Sequence, residues 1–102
     1  MAIVYYWALA QMMKNAGVGL TEREVEALMN QWLAGTRRAW ISRSDDAATG
    51  WVLMHLWMRS EAGQPLQVTT RVLAPDITVV DVRPLTDAQV AEFEQWEARN
   101  EH

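Results

Sequence analysis

His55 is the one histidine set inside a regular stretch of this 102-residue chain, so acid–base or nucleophilic chemistry would begin there. Such a base needs a nucleophile, a metal or an acid partner, and the sequence places no serine or cysteine beside it. The second histidine, His102, stands at the chain end, where fraying is expected. No His/Asp/Glu group has ligand spacing, and Asp45-Asp46 lacks the regular oxygen spacing of a calcium loop, so turn formation accounts for it better. The five glycines, 17, 19, 35, 50 and 63, are scattered and form no phosphate-binding loop. There is no cysteine, which excludes thiol catalysis, disulfides and thiolate zinc. These readings point to a protein that is not an enzyme and carries no metal or cofactor.

The other chemistry on offer is recognition. In Trp51-Val52-Leu53-Met54-His55-Leu56-Trp57-Met58-Arg59, alternate residues separate into two faces. Val52, Met54, Leu56 and Met58 make an apolar face, whereas Trp51, Leu53, His55, Trp57 and Arg59 mix aromatic, imidazole and guanidinium groups. The run is bounded by Thr49-Gly50 and by Ala62-Gly63-Gln64-Pro65, and at nine residues it reads as a central strand.

Around it the spacing predicts the other elements. Residues 3–15 read as a largely buried first helix ending at Gly17, with Ile3, Tyr6, Trp7, Ala10 and Met13 on one side. The strand character of Ile3-Val4-Tyr5-Tyr6-Trp7 makes an N-terminal strand the alternative. Leu20-Thr21-Glu22-Arg23-Glu24-Val25 carries a capping box, Thr21 with Glu24, and a hydrophobic staple, Leu20 with Val25. Val25, Leu28, Met29, Trp32 and Leu33 continue as an apolar stripe to Gly35. Residues 37–43 read as a strand entering a polar loop at 44–50. Leu66–Leu73 forms the strand after the central one, Ala74-Pro75-Asp76 breaks it, and Ile77–Val82 forms a fourth. A last helix starts with the same capping chemistry, Thr86 with Gln89 and Leu85 with Val90, and is anchored by Val90, Phe93 and Trp96.

The expected fold is therefore α+β, in one domain spanning 1–102. It is a four-stranded antiparallel meander with two N-terminal helices and one C-terminal helix packed on one side of the sheet. Parallel pairing would require crossovers longer than these loops. Folding the first two strands with Ser44 opposite Trp51, and the next two with Met58 opposite Val68, sends Ile41, Val52, Met54, Leu56, Met58, Val68 and Val72 to the core. Arg38, Trp40, Trp51, His55, Trp57, Arg59, Thr69 and Arg71 then share the other face, and a one-residue slip would invert the set.

Trp and Arg are enriched at interface hot spots, so Arg38, Trp40, Trp51, His55, Trp57, Arg59 and Arg71 are the candidate partner-binding residues. Arginine stems also pack on indoles without any ligand, and the last helix can cover this face with its carboxylates toward the arginines. Charge is uneven: −1 over residues 1–36, +1 over 37–83 and −4 over 84–102, within a total of −4. A basic excess fit for tight duplex binding is missing. The reading is a non-enzymatic protein–protein interaction module, such as an inhibitor, adaptor or assembly factor, a profile that suits a phage-type accessory protein. It is expected to self-associate as a homodimer through the Trp/Arg face. Single-strand nucleic-acid binding on the same face is the alternative. With 50% hydrophobic and 22% charged residues the chain is globular in composition. The opening apolar run lacks a basic flank and is too short to span a bilayer, so a soluble cytoplasmic protein is expected.

Overall fold

The computed structural model describes residues 2–73 and 75–99; Ala74 of the proposed break and His102 lie outside them. The element order is β1 (Ile3–Tyr5), α1 (Leu9–Asn15), α2 (Glu22–Leu33), β2 (Trp40–Asp45), β3 (Val52–Arg59), β4 (Pro65–Leu73), β5 (Asp76–Pro84) and α3 (Asp87–Arg99). The class is α+β, but the sheet has five strands and is mixed, in the order β1-β5-β4-β3-β2. β2 to β5 form the antiparallel meander read from the sequence. β1 adds a parallel strand beside β5, with Ile3 opposite Ile77 and Tyr5 opposite Val79.

The single helix expected over 3–15 is thus corrected to a strand, a turn and a seven-residue helix. β-Branched and aromatic residues at 3–6 favour extended backbone, and β5 offers them a ladder: Ile77 N–H donates to the Ala2 carbonyl and Tyr6 N–H to the Val79 carbonyl, both at 2.9 Å. The crossover that a parallel pair needs is supplied by everything between residues 6 and 75. Of the side assigned to that helix only Met13 is buried, and Trp7 in the intervening turn is 87% exposed.

α2 begins as its sequence dictates. Glu24 N–H donates to Thr21 Oγ1 at 3.2 Å while Thr21 N–H donates to Glu24 Oε1 at 3.1 Å. Its Val25, Leu28 and Met29 join Leu9 and Met13 of α1 over Leu56, Met58, Leu66, Val68, Ile77, Val79 and Val82 of the sheet. A bulge at Val80 lets Val79 and Val82 both reach this core, because Thr69 pairs with Asp81 but Thr70 pairs with Val79. Ile41, Val52 and Val72, expected in the core, lie on the correct face but are 44–45% exposed, since the sheet extends past its helices.

The sheet side of α3 is the second correction. It opens on the predicted capping box, with Gln89 N–H donating to Thr86 Oγ1 at 3.2 Å. It then crosses the face opposite α1 and α2, giving helices on both sides instead of one. Phe93, on this helix, is 1% exposed and meets Trp57, which belongs to the face opposite Leu56.

Two predictions follow from this packing. Leu56 is fully buried on the interior strand β3, so Leu56→Ala should destabilise the fold by about 2–5 kcal/mol in denaturant melts. A neutral effect would contradict the core described here. Tyr5 Oη donates to Glu26 Oε2 at 2.9 Å, tying β1 to α2. Burial, then the Glu26 carboxylate, push the phenol from 10.0 to about 12. Stability from this raised value is complete below pH 10.0 and is lost as pH climbs toward about 12. Tyr5→Phe should flatten that alkaline loss in melts across the interval.

Candidate interaction surface

At one end of the sheet, the face predicted to carry tryptophan and arginine is taken up by α3. Trp40 and Trp57 are opposed across β2 and β3, their rings edge-on at 5.2 Å. Trp96 lies parallel to Trp40 at 5.8 Å, and Phe93 meets Trp57 edge-on at 6.4 Å. Arg59 makes a two-pronged pair with Glu97, Nε to Oε2 at 2.9 Å and Nη2 to Oε1 at 2.7 Å, and its third nitrogen donates to the Gly63 carbonyl. The hydrogen bonds to Glu97 raise the guanidinium's affinity for its proton. Arg38 donates to the Glu97 carbonyl at 3.0 Å and stands over Trp96 at 5.0 Å, completing the last turn of the helix. Four of the seven candidate residues, Arg38, Trp40, Trp57 and Arg59, therefore hold the chain's own C-terminal helix.

The other three, Trp51, His55 and Arg71, lie toward the opposite end of the sheet. The Arg71 guanidinium sits 3.9 Å from the Trp51 ring centre, so each covers part of the other. His55 is held between two hydroxyls, Ser44 Oγ 2.7 Å from Nε2 and Thr69 Oγ1 3.0 Å from Nδ1. Gln67 extends the network by accepting from Trp57 Nε1 at 3.0 Å. Ser44 as a neighbour of His55 is not legible in the sequence, because the contact depends on the register of β2 against β3.

A serine hydroxyl at 2.7 Å from an imidazole has the spacing of a nucleophile and its base. The third group here is the Thr69 hydroxyl, which cannot balance an imidazolium as a carboxylate does. Burial lowers the proton affinity of His55, and a neutral ring shared by two hydroxyls suits a structural bridge across β2, β3 and β4. Among the described residues no three His, Asp or Glu side chains group as metal ligands.

On the opposite face the same end of the sheet is apolar. Ile41 and Val52 at 45% exposure and Val72 at 44% surround half-buried Met54, beyond the reach of α1 and α2. Arg43 is the only charged side chain among the residues lining this shallow depression. The alternation of β2 to β4 put these residues on one face, but their exposure depends on helix length and placement.

This end presents aliphatic groups on one side and a capped indole with hydroxyls on the other, along the outer strand β2, chemistry suited to contact rather than to bond-making. No protein-family model, curated protein or solved structure matches this chain.

His55 also predicts acid behaviour. Its lowered pKa in the fold means stability present above 6.5 and lost as pH falls below that value. Melts from pH 7 down to pH 5 should show a decline that His55→Asn reduces; an unchanged decline would show that His55 adds nothing to it.

Proposed function

We propose that this chain is a non-enzymatic protein–protein interaction module whose partner docks at the helix-free end of the sheet. The observation that carries the reading is the cluster of Ile41, Val52 and Val72, three aliphatic residues that stay 44–45% exposed on adjacent strands. Returning such groups to a dry contact recovers free energy in proportion to area, roughly 25 cal/mol per Å². Trp51 under Arg71 and the half-buried His55 line the reverse side of this end and supply polar selectivity at its rim.

This shifts the binding surface within the sheet compared with the sequence reading. The aromatic cluster of Trp40 and Trp57 serves α3, and the contact surface lies farther along the strands. Base stacking on a single strand would draw on open indole faces over a positive groove, whereas Trp40 and Trp57 are engaged by Phe93 and Trp96. The protein reading is therefore better supported than the nucleic-acid one.

The test is site-specific photocrosslinking in the cells that make the protein. A photoreactive amino acid at position 41 should give discrete protein adducts, with a second copy or with a foreign chain. The same probe at Ala91, on an exposed turn of α3, should not. No adduct at 41, or one pattern at both positions, would overturn the reading, and nucleic-acid adducts at 41 would favour the alternative.

A further inference from the structure

We infer that β2 pairs antiparallel with β2 of a second copy, joining two five-stranded sheets in the register that sets Arg43 opposite Asp45. The inference rests on the preceding reading only in taking the helix-free end as a contact surface.

The backbone argument comes first. β2 is the outer strand of the sheet, six residues long, with five of them exposed. Asp46 N–H donates to the Trp51 carbonyl at 2.8 Å, which fixes the phase of the β2–β3 ladder. In an antiparallel pair the hydrogen-bonding residues alternate, so Trp40, Ser42 and Ser44 turn their backbone groups toward β3. Ile41, Arg43 and Asp45 turn theirs outward. The opposite edge of the sheet is blunted by its shortness, β1 having three residues. β2 is twice as long and turns a row of donors and acceptors outward, with Arg43 and Asp45 as its charged side chains.

Symmetry and charge then choose the register. A two-fold axis normal to the sheet brings like faces together, so only residues of the same parity can oppose each other. If Arg43 opposed itself, two guanidinium groups would meet across the junction, an unfavourable arrangement. If Arg43 opposed Ile41, an aliphatic group would face a cation and the two arginines would remain diagonal neighbours. One step further, each Arg43 opposes the other copy's Asp45, and Ser44 meets Ser44 at the axis. This arrangement forms two reciprocal opposite-charge pairs, and the two outward-facing residue pairs exchange about four N–H···O bonds. Within one copy the same groups form only a long contact, Nη2 to Oδ1 at 3.5 Å, with side chains 69% and 73% exposed. Both are available to exchange a solvated neighbour for a partner across the junction.

Sedimentation of the whole chain from about 5 to 500 µM, the range of a weak interface, tests this. The wild type should pass from monomer to dimer. Arg43→Asp and Asp45→Arg should each weaken association about tenfold or more, because each sets like charges opposite one another. The Arg43→Asp/Asp45→Arg double variant should return to near wild-type association, a recovery specific to this register. Arg43→Pro removes an outward N–H without touching the β3 ladder, so it should give a monomer with unchanged circular dichroism. A wild type that stays monomeric throughout would overturn the inference and identify Arg43 and Asp45 as charges that block the edge. Single reversals without effect, or a double variant without recovery, would overturn the register. Photocrosslinking at position 41 separates the two claims: a foreign adduct with a monomeric wild type sinks self-pairing alone, and no adduct with a monomer sinks both.

Discussion

The structure depends on the burial of β3 from both sides at one end only. Leu56 and Met58 point into α1 and α2, while Trp57 and Arg59, alternating with them, point into α3. Helix length limits how far that burial extends. A twelve-residue helix such as α2 is about 18 Å long at 1.5 Å per residue, whereas the nine residues of β4 extend for about 30 Å. Neither helix layer can cover the whole sheet, so one end is enclosed and the other is open. Leu56 at 0% and Val52 at 45% exposure lie four residues apart on one face of one strand, and the difference between them is where helix cover ends.

On the α3 side the enclosed end divides its work between aromatic area and charge. Phe93, Trp96, Trp40 and Trp57 meet ring to ring across this contact, and rings of this size contribute large apolar area. The Arg59–Glu97 pair adds direction. A helix shifted by one turn would keep some ring contact but lose both prongs of the ion pair and the Arg38 bond to the Glu97 carbonyl. Arg37 performs a related task nearby, joining Gln31 of α2, the Arg59 carbonyl and Glu61 of the β3–β4 turn. Arg37, Arg38 and Arg59 are thus fasteners between elements, whereas Arg43 and Arg83 pair with aspartates of their own strands.

Parity was legible in the sequence and register was not, while cover of the Trp/Arg face by the last helix, its carboxylates toward the arginines, was legible only as the alternative to an open face. The alternation in 51–59 placed Leu56 and Met58 against Trp57 and Arg59 correctly, because period-2 patterning does not depend on loop length. Both hairpins are two residues out of the expected register, an even shift that leaves the faces intact: Ser44 opposes Leu53 instead of Trp51, and Met58 opposes Leu66 instead of Val68. The cause is turn chemistry. Asp46 accepts from Ala48 N–H and from the Thr49 hydroxyl, closing a short loop that lets β2 continue through Asp45. Gly63, at φ +86°, likewise tightens the second turn between Ser60 and Gln64. The capping boxes at Thr21 and Thr86 were legible because they are local. The β1 strand was legible only as the alternative to a helix, from its β-branched and aromatic residues, because its extended state is decided by a partner some seventy residues away.

The self-pairing we propose follows from how the two outer strands differ. A sheet edge left bare invites uncontrolled pairing, and natural sheets answer with short strands, inward charges, proline or bulges. β1 uses shortness. On β2, Arg43 and Asp45 are alternate residues on one face, carry opposite signs and stand at positions whose backbone groups face outward. Charges placed only to repel would serve better with one sign, since opposite signs two residues apart are complementary to their own image under a two-fold axis. The aliphatic cluster of Ile41, Val52 and Val72 adjoins this edge on the same face, so an edge contact also brings apolar surface from each copy close to the junction. In the pairing proposed above, the charge pattern of β2 is what sets one register, where bare hydrophobicity would accept many.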